Sequence, residues 1–442
     1  MCIRDRANMA EVSFLEKTFK LNKHGTNVKT EIMAGVTTFM TMSYILAVNP
    51  GILSEAGMDY GAVFSATVIA SVVAMVLMAF YANLPFGLSA GMGLNAFFTY
   101  TVVGQMGHPW QFALTAVFLE GIIFMLLSLV GVREAIFNSI PTTLKKAVSV
   151  GIGLFIAEIG LLNAKIVVKA EPALALGNLK SLEAFIFFFA LVIMIVLTAK
   201  KVKGALLWGI LVSTILSLIL GVTHLPDTNI VSLPPSIAPV AFKLDFSNIF
   251  SLEMFSVLFS FLFVDIFDTL GTLTGVATKA KMLDENGNLP EASKALMSDA
   301  VGTTVGALLG TSTITTFVES SSGVAEGGRT GLTALATAGC FVIAAFFFPV
   351  FSIIPPAATS AALVTVGLFM LSTVVEINFE DITEAFPAFM TILMMPLAYS
   401  IAEGIAFGMM SFAAIKLLTG KGKEVSWVIY VLAIIFFIRY II

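Results

Sequence analysis

Apolar runs long enough to cross about 30 Å of hydrocarbon recur from residue 30 to the end of this chain, and no other feature restricts its fold so severely. In hydrocarbon the backbone must satisfy its own N–H and C=O groups, which leaves helices or a closed barrel, and runs of this length read as helices. Of the 442 residues, 58% are hydrophobic and only 12% are charged. The mean hydropathy of +0.98 lies far outside the range of soluble domains. One polytopic membrane domain is expected. The net charge of −4 matters less than where the charges stand, and no nucleic-acid partner is implied. Cys2 and Cys340 lie in a terminal tail and an apolar run, which argues against a disulfide framework or a Cys-rich metal site. Residues 1–8, MCIRDRAN, read as a stray leader ahead of Met9.

Polar breaks divide the chain into spans near 30–49, 60–82, 84–103, 109–130, 147–165, 184–199 and 204–221, then 251–276, 295–312, a short broken element at 313–327, 329–349, 357–375, 385–400 and 401–418. That is seven and seven. Lys17, Lys20, Lys23 and Lys29 precede the first span, Arg133, Lys145 and Lys146 follow the fourth, Lys200, Lys201 and Lys203 the sixth, and Lys279 and Lys281 the eighth. Basic residues mark cytoplasmic loops, so this alternation puts the 1–29 tail in the cytoplasm and the 222–250 loop outside.

Two halves with an odd number of spans must be inverted relative to each other, here 30–221 against 251–418. FNSIP (137–141) is followed twelve residues beyond its proline by GLF (153–155), and FSIIP (351–355) by GLF (367–369) at the same spacing. VKGALLWG (202–209) resembles IAEGIAFG (401–408). The hydrophobic segment at 425–442, within a 419–442 tail, reads equally as an interfacial helix, a packed terminal helix or a further span.

An ionisable residue at membrane depth costs roughly 2.5–3.5 kcal/mol on insertion scales, so each one needs a partner, a wet cavity or a function. The acidic candidates are Asp265, Asp268, Asp299, Glu319, Glu120, Glu158, Glu326 and Glu403, and the basic one is Arg329. In FLFVDIFDTLGT, Asp265 and Asp268 stand three apart and so share a helix face, which Thr269 and Thr272 extend. Residues 311–331, TSTITTFVESSSGVAEGGRTG, are too rich in Thr, Ser and Gly for a lipid-facing helix. The TSTITTFV run reads as extended and ESSSG as a helix start, with Glu319 in its first turn. A helix-capping carboxylate is the bland reading of Glu319, and an ion pair at i, i+3 that of Glu326 and Arg329. In the first half, LPFGLSAGMGLNAFFTY (84–100) is broken by Pro85, Gly87, Gly91 and Gly93, and Asn95 is the polar residue left inside it.

Two broken elements in corresponding positions point to a transporter site near mid-membrane. Carboxylates accept hydrogen bonds and repel anions, while Asn both donates and accepts. A flat neutral heterocycle with N–H donors fits Glu319, Asn95 and the loose backbone around Gly91, Gly93, Thr316 and Ser320. Phe97, Phe98 or Phe317 offers an apolar wall. Burial favours the protonated form of a carboxyl, which makes Asp265 or Asp268 a proton-coupling candidate.

The segments NKHGTNVKTEIMAGVTTFMTMSYILAVNP, GLSAGMGLNAFFTY, FLFVDIFDTLGTLTGVA and TTFVESSSGVAEGGRTGLTA, in this order, resemble the AzgA-like hypoxanthine/guanine/adenine permeases of the nucleobase:cation symporter superfamily, from about residue 14 onward. The resemblance implies an all-α fold of fourteen spans in a seven-plus-seven inverted repeat, with a core domain (30–130 and 251–349) and a gate domain (131–221 and 357–442). It implies a purine binding between the third, eighth and tenth spans, and import across the cell membrane by proton symport in an elevator or rocking movement. The proton gradient is the driving force and no cofactor is expected. The binding positions of the family fall on Asn95, on Asp265 and Asp268, and on Glu319. By its place before the glycine, Asp268 resembles the binding glutamate of the uracil-type relatives, which gives Asp268 the ligand role and Asp265 a supporting or coupling one. A homodimer is expected by analogy with related folds.

Rival readings are another nucleobase such as uracil or xanthine on the same fold, an anion transporter, a passive solute channel and an intramembrane aspartyl protease. The acidic site opposes an anion. A channel needs neither paired carboxylates nor two broken helices. A protease would carry its aspartates on different helices, so no enzyme is expected.

Overall fold

The computed structural model describes residues 14–170, 174–225, 229–282 and 289–441, and the leader expected at 1–8 lies outside them. The first half comprises α1 (Phe14–Phe19), α2 (Val28–Met42), α3 (Ile45–Glu55), α4 (Tyr60–Leu77), β1 (Leu88–Ala90), α5 (Met92–Ala96), α6 (Trp110–Leu129), α7 (Val132–Ser139), α8 (Thr142–Asn163), the hairpin β2 (Val167–Lys169) and β3 (Leu174–Leu176), α9 (Leu182–Ala199) and α10 (Ala205–Ile219). The second half comprises α11 (Leu252–Ala280), α12 (Ala292–Leu309), β4 (Ile314–Thr316), α13 (Ser320–Ala325), α14 (Gly331–Ala345), α15 (Phe348–Ser352), α16 (Pro356–Leu371), α17 (Ile382–Leu397), α18 (Ile401–Leu418) and α19 (Trp427–Ile441). Eight described helical stretches are long and apolar enough to cross a membrane; of the remaining spans α12 is 18 residues long but less apolar, and the others are shorter or broken.

The packing repeats across the two halves. The eleventh span, α14, lies against α2 and α4, the first and second spans. Its counterpart α6, the fourth span, lies against α11 and α12, the eighth and ninth. A second group of helices follows the same rule: α8 pairs with α16, α9 with α10 and α17 with α18. This is the seven-plus-seven inverted repeat, with core and gate groups of helices.

The GLF repeats are part of the physical cause. Gly153 of α8 and Gly367 of α16 face each other so closely that a Cβ on Gly153 would stand 2.8 Å from the Gly367 carbonyl oxygen, and one on Gly367 would meet the Gly153 carbonyl. Small residues let helix backbones approach, and dispersion between close-packed backbones replaces the hydrophobic force that lipid removes. The expected break at 84–103 is present, but the helix that follows β1 runs on to Gln105 in wide π-type turns over Phe97–Gln105. The β2–β3 hairpin was not foreseen, although IVVK at 166–169 is a β-branched run.

Within 425–442, Trp427–Ile441 form the helix α19, packed lengthwise and antiparallel on α18. Lys416, near the end of α18, meets Glu424 just before α19 at 2.9 Å. Tyr440, near the end of α19, reaches back to Glu403 and to the Phe407 ring. Phe436 packs on Phe259 and Phe263 of α11, so this terminal helix bridges the two groups.

Gly367→Ala should cost about 1–3 kcal/mol through overpacking at the α8–α16 crossing and lower the thermal midpoint of the detergent-purified protein. Gly339→Ala, where a Cβ meets nothing within 4 Å, should not lower it.

Candidate functional site

The two broken spans meet each other. Strand β1 pairs antiparallel with β4, Leu88 opposite Thr316, Ser89 opposite Thr315 and Ala90 opposite Ile314. The ladder is extended by Gly91 N–H donating to the Thr313 carbonyl (3.0 Å) and Phe317 N–H to the Gly87 carbonyl (2.9 Å). Backbone that leaves a helix in an apolar interior must find partners, and each broken span supplies them to the other. The preceding span of each half steadies its strand: Ser71 hydrogen-bonds Ser89 at 2.8 Å, and Thr303 Oγ1 donates to the Ile314 carbonyl at 3.0 Å. Ser320 Oγ accepts from Gly87 N–H at 2.9 Å. The Thr316 hydroxyl is buried without a hydrogen-bond partner among the described residues.

Around this ladder the structure gathers Asp268, Glu319 and Gly91. A Cβ on Gly91 would clash with the Thr315 methyl and stand 3.2 Å from Asp268 Oδ2, so only glycine lets the strand pass the carboxylate so closely. Asp268 and Glu319 are half-buried and lie within electrostatic reach of one another. Gly93 backs onto Ile152 of α8.

Asn95, on the second turn of α5, is fully buried. Its Oδ1 accepts from the Ser312 hydroxyl, and its Nδ2 has no hydrogen-bond partner among the described residues. A buried amide without an acceptor costs about 1–3 kcal/mol unless a ligand or water completes it.

The shared helix face of the two aspartates splits into two environments. Asp265 is completely buried and accepts from Thr269 Oγ1 at 2.7 Å, and the same hydroxyl lies 3.4 Å from Asp299 Oδ2 on α12. Thr272, one turn on, is half-buried. Phe97 packs edge-on against Phe261 of α11 with ring centroids 4.9 Å apart, Phe98 is fully buried and Phe317 is 5% exposed. Phe97, Thr101, Gln105, Ser256, Ser260 and Glu403 line a cleft of about 540 Å³ between the two groups of helices.

Two expectations change. Glu319 stands at the residue before α13, yet its side chain makes no capping bond; it accepts instead from the Tyr44 hydroxyl at 2.6 Å. Glu326 pairs not with Arg329 but with Lys203 of the α9–α10 link, at 2.6 Å. Arg329 Nη1 donates to the carbonyls of Val324 (2.6 Å) and Gly328 (2.7 Å), closing the turn after α13. Beside the Lys203–Glu326 pair, Gly204 packs against the Met40 carbonyl, so the two groups touch there.

Sequence reasoning missed Tyr44 and the buried set Asn49, Thr67 and Thr311, in which Asn49 Nδ2 donates to Thr67 (2.7 Å) and Thr311 (3.0 Å). The available signal was the same as for the acids: polar atoms inside the apolar spans 30–49, 60–82 and 295–312.

Residues 29–407 match the model of the Permease family (Xan_ur_permease). The chain is 41% identical to the adenine permease AdeP of Escherichia coli (strain K12), over 96% of this chain and 95% of that one. It belongs to this nucleobase permease family. It is also 43% identical to the guanine/hypoxanthine permease PbuO of Bacillus subtilis (strain 168), over 95% and 99% of the two chains, and 50% identical to the putative permease MJ0326 of Methanocaldococcus jannaschii, over 97% and 99%. Among solved structures it is similar to the transmembrane domain of the cyanobacterial bicarbonate transporter BicA (TM-score 0.65, 17% identity, 86% of this chain and 97% of that one) and to SLC26A9 (TM-score 0.64, 12% identity, 93% and 68%). These two share its fold. The family member is therefore a multi-pass membrane permease, as the sequence led one to expect.

If the Lys203–Glu326 pair holds its end of the interface shut, Lys203→Glu should speed maleimide labelling of a cysteine placed at Met40, in a chain freed of Cys2 and Cys340. An exposed pair is worth about 0–1 kcal/mol, so the gain should be up to about fivefold. Adding Glu326→Lys should reverse it; unchanged labelling would mean that the pair closes nothing.

Proposed function

We propose that this permease imports a purine nucleobase, hypoxanthine or guanine and also adenine, by proton symport across the cell membrane. The observation that carries this reading is the company of half-buried acceptors and an unmet donor: Asp268 and Glu319 beside the β1–β4 ladder, and Asn95 Nδ2, without a partner among the described residues, on the helix that follows β1. Such a site is complementary to a neutral heterocycle with N–H donors and a ring or carbonyl acceptor. Phe97 and Phe317 would flank the ring, and the backbone at Gly91, Gly93, Thr316 and Ser320 would shape the rest. Relatives of nearly equal length carry the names of adenine and guanine/hypoxanthine permeases.

The proton would be carried by the buried set Asp265, Thr269 and Asp299, one helical turn from the base, or by Asp268 itself. Transport would move the core group, with the base, against the gate group in an elevator-type alternation of access. The basic residues at one set of loops support a cytoplasmic N-terminus. A homodimer remains part of the proposal by analogy alone. The anion-transporter reading draws only on shared fold with BicA and SLC26A9, and two carboxylates at the ladder oppose it.

Cells lacking their own purine permeases and expressing this chain should accumulate radiolabelled hypoxanthine. Guanine and adenine should compete, uracil and sulfate should not, and a protonophore should abolish accumulation. Competition mainly by uracil or sulfate would remove the purine reading while leaving the fold untouched. Glu319→Gln should weaken uptake by about tenfold or more, since a hydrogen bond to a charged group is worth roughly 1.5–3 kcal/mol, and Asn95→Ala, which removes a neutral amide, by about twofold to tenfold, for roughly 0.5–1.5 kcal/mol. Uptake that stays concentrative and pH-dependent after Asp265→Asn and Asp268→Asn together would rule these aspartates out of coupling.

A further inference from the structure

Glu319 is held from a direction the purine reading does not use. The first span tightens into a turn at Ser43 and Tyr44, between α2 and α3, before continuing to Glu55. From this turn Tyr44, 1% exposed, sends its hydroxyl to Glu319 Oε1 at 2.6 Å. Thr41, on the last turn of α2, lies with its hydroxyl 3.4 Å from the Glu319 carbonyl oxygen. The glutamate is therefore held by a residue 275 positions away in the chain, while its side chain caps no N–H of α13.

A glutamate side chain has three torsions and loses appreciable entropy when fixed, so a free Glu319 would sample several rotamers. The Tyr44 ring is packed and its reach is set, which makes the hydroxyl a fixed donor. A buried tyrosine hydroxyl in turn needs an acceptor, so the two groups specify each other.

We propose that Tyr44 is the positioning residue of the base site: by occupying Oε1 it fixes the Glu319 carboxylate and leaves Oε2 to receive an N–H of the bound heterocycle. The proposal rests on the purine-site reading above. Tyr44 acts through Glu319 and makes no contact of its own with the base. Its loss must therefore weaken binding only while the carboxylate is there to be positioned.

The test is equilibrium binding of radiolabelled hypoxanthine, guanine and adenine to the purified full chain and to Tyr44→Phe, Glu319→Gln and the double variant. Tyr44→Phe should weaken binding about tenfold, the scale of one hydrogen bond to a charged group. The double variant should bind within about twofold of Glu319→Gln, because residues acting as one unit are not additive. In transport, the same substitution should raise KM and leave the maximal rate per molecule near that of the parent. If the Phe variant does not fold, Tyr44→His, which keeps a ring N–H donor, should bind more tightly than Tyr44→Leu. Unchanged binding by Tyr44→Phe, or additive losses in the double variant, would overturn the role of Tyr44 while the purine site stands. A wild-type protein that binds none of the three bases would overturn the purine reading, and this proposal with it.

Discussion

The antiparallel pairing of β1 with β4 is the constraint on which the rest depends. Two spans that abandon the helix inside an apolar body would leave backbone groups unmet, at several kcal/mol each. Pairing them to each other removes that cost and brings Gly91, Thr315 and the residues around Asn95 and Glu319 to one place. It also couples the halves of the chain, because among the described residues each strand has the other as its sheet partner. Ser71 and Thr303 show that each half anchors its strand by a hydroxyl from its preceding span.

Around this centre the inverted repeat is close in packing and looser in detail. The reciprocal contacts of α14 and α6, and the facing glycines Gly153 and Gly367, follow the symmetry. The broken spans themselves do not: the helix after β1 extends through wide turns to Gln105, whereas α13 stops at Ala325. The longer arm reaches the cleft lined by Phe97, Thr101 and Gln105, and the shorter one ends where Glu326 meets Lys203. The repeat thus supplies a common frame, and its unequal arms give the two ends of the interface different chemistry.

Asp265 and Asp268 illustrate how little spacing fixes once helices pack. Three residues apart, they share a face. Yet α12 brings Asp299 against Thr269 and seals Asp265, while the absence of a side chain at Gly91 leaves Asp268 beside the ladder, half-buried. One turn of helix thus separates a carboxyl sealed among other side chains from a half-buried one beside the ladder.

The sequence by itself determined the spans, their two-fold division and the breaks at 84–100 and 311–331, and it singled out Asp265, Asp268 and Glu319 within apolar runs. It did so because hydrocarbon tolerates neither polar side chains nor unpaired backbone without a reason, so a long departure from apolar helix shows as composition. Only the tertiary structure decided partners. That Glu319 turns to Tyr44 instead of capping α13, that Glu326 takes Lys203 over Arg329, and that α19 lies along α18 are outcomes of distances between helices far apart in the chain. Hydrogen bonds and ion pairs form or fail over about 1 Å, and that spacing is set by how close the small residues let each pair of helices come.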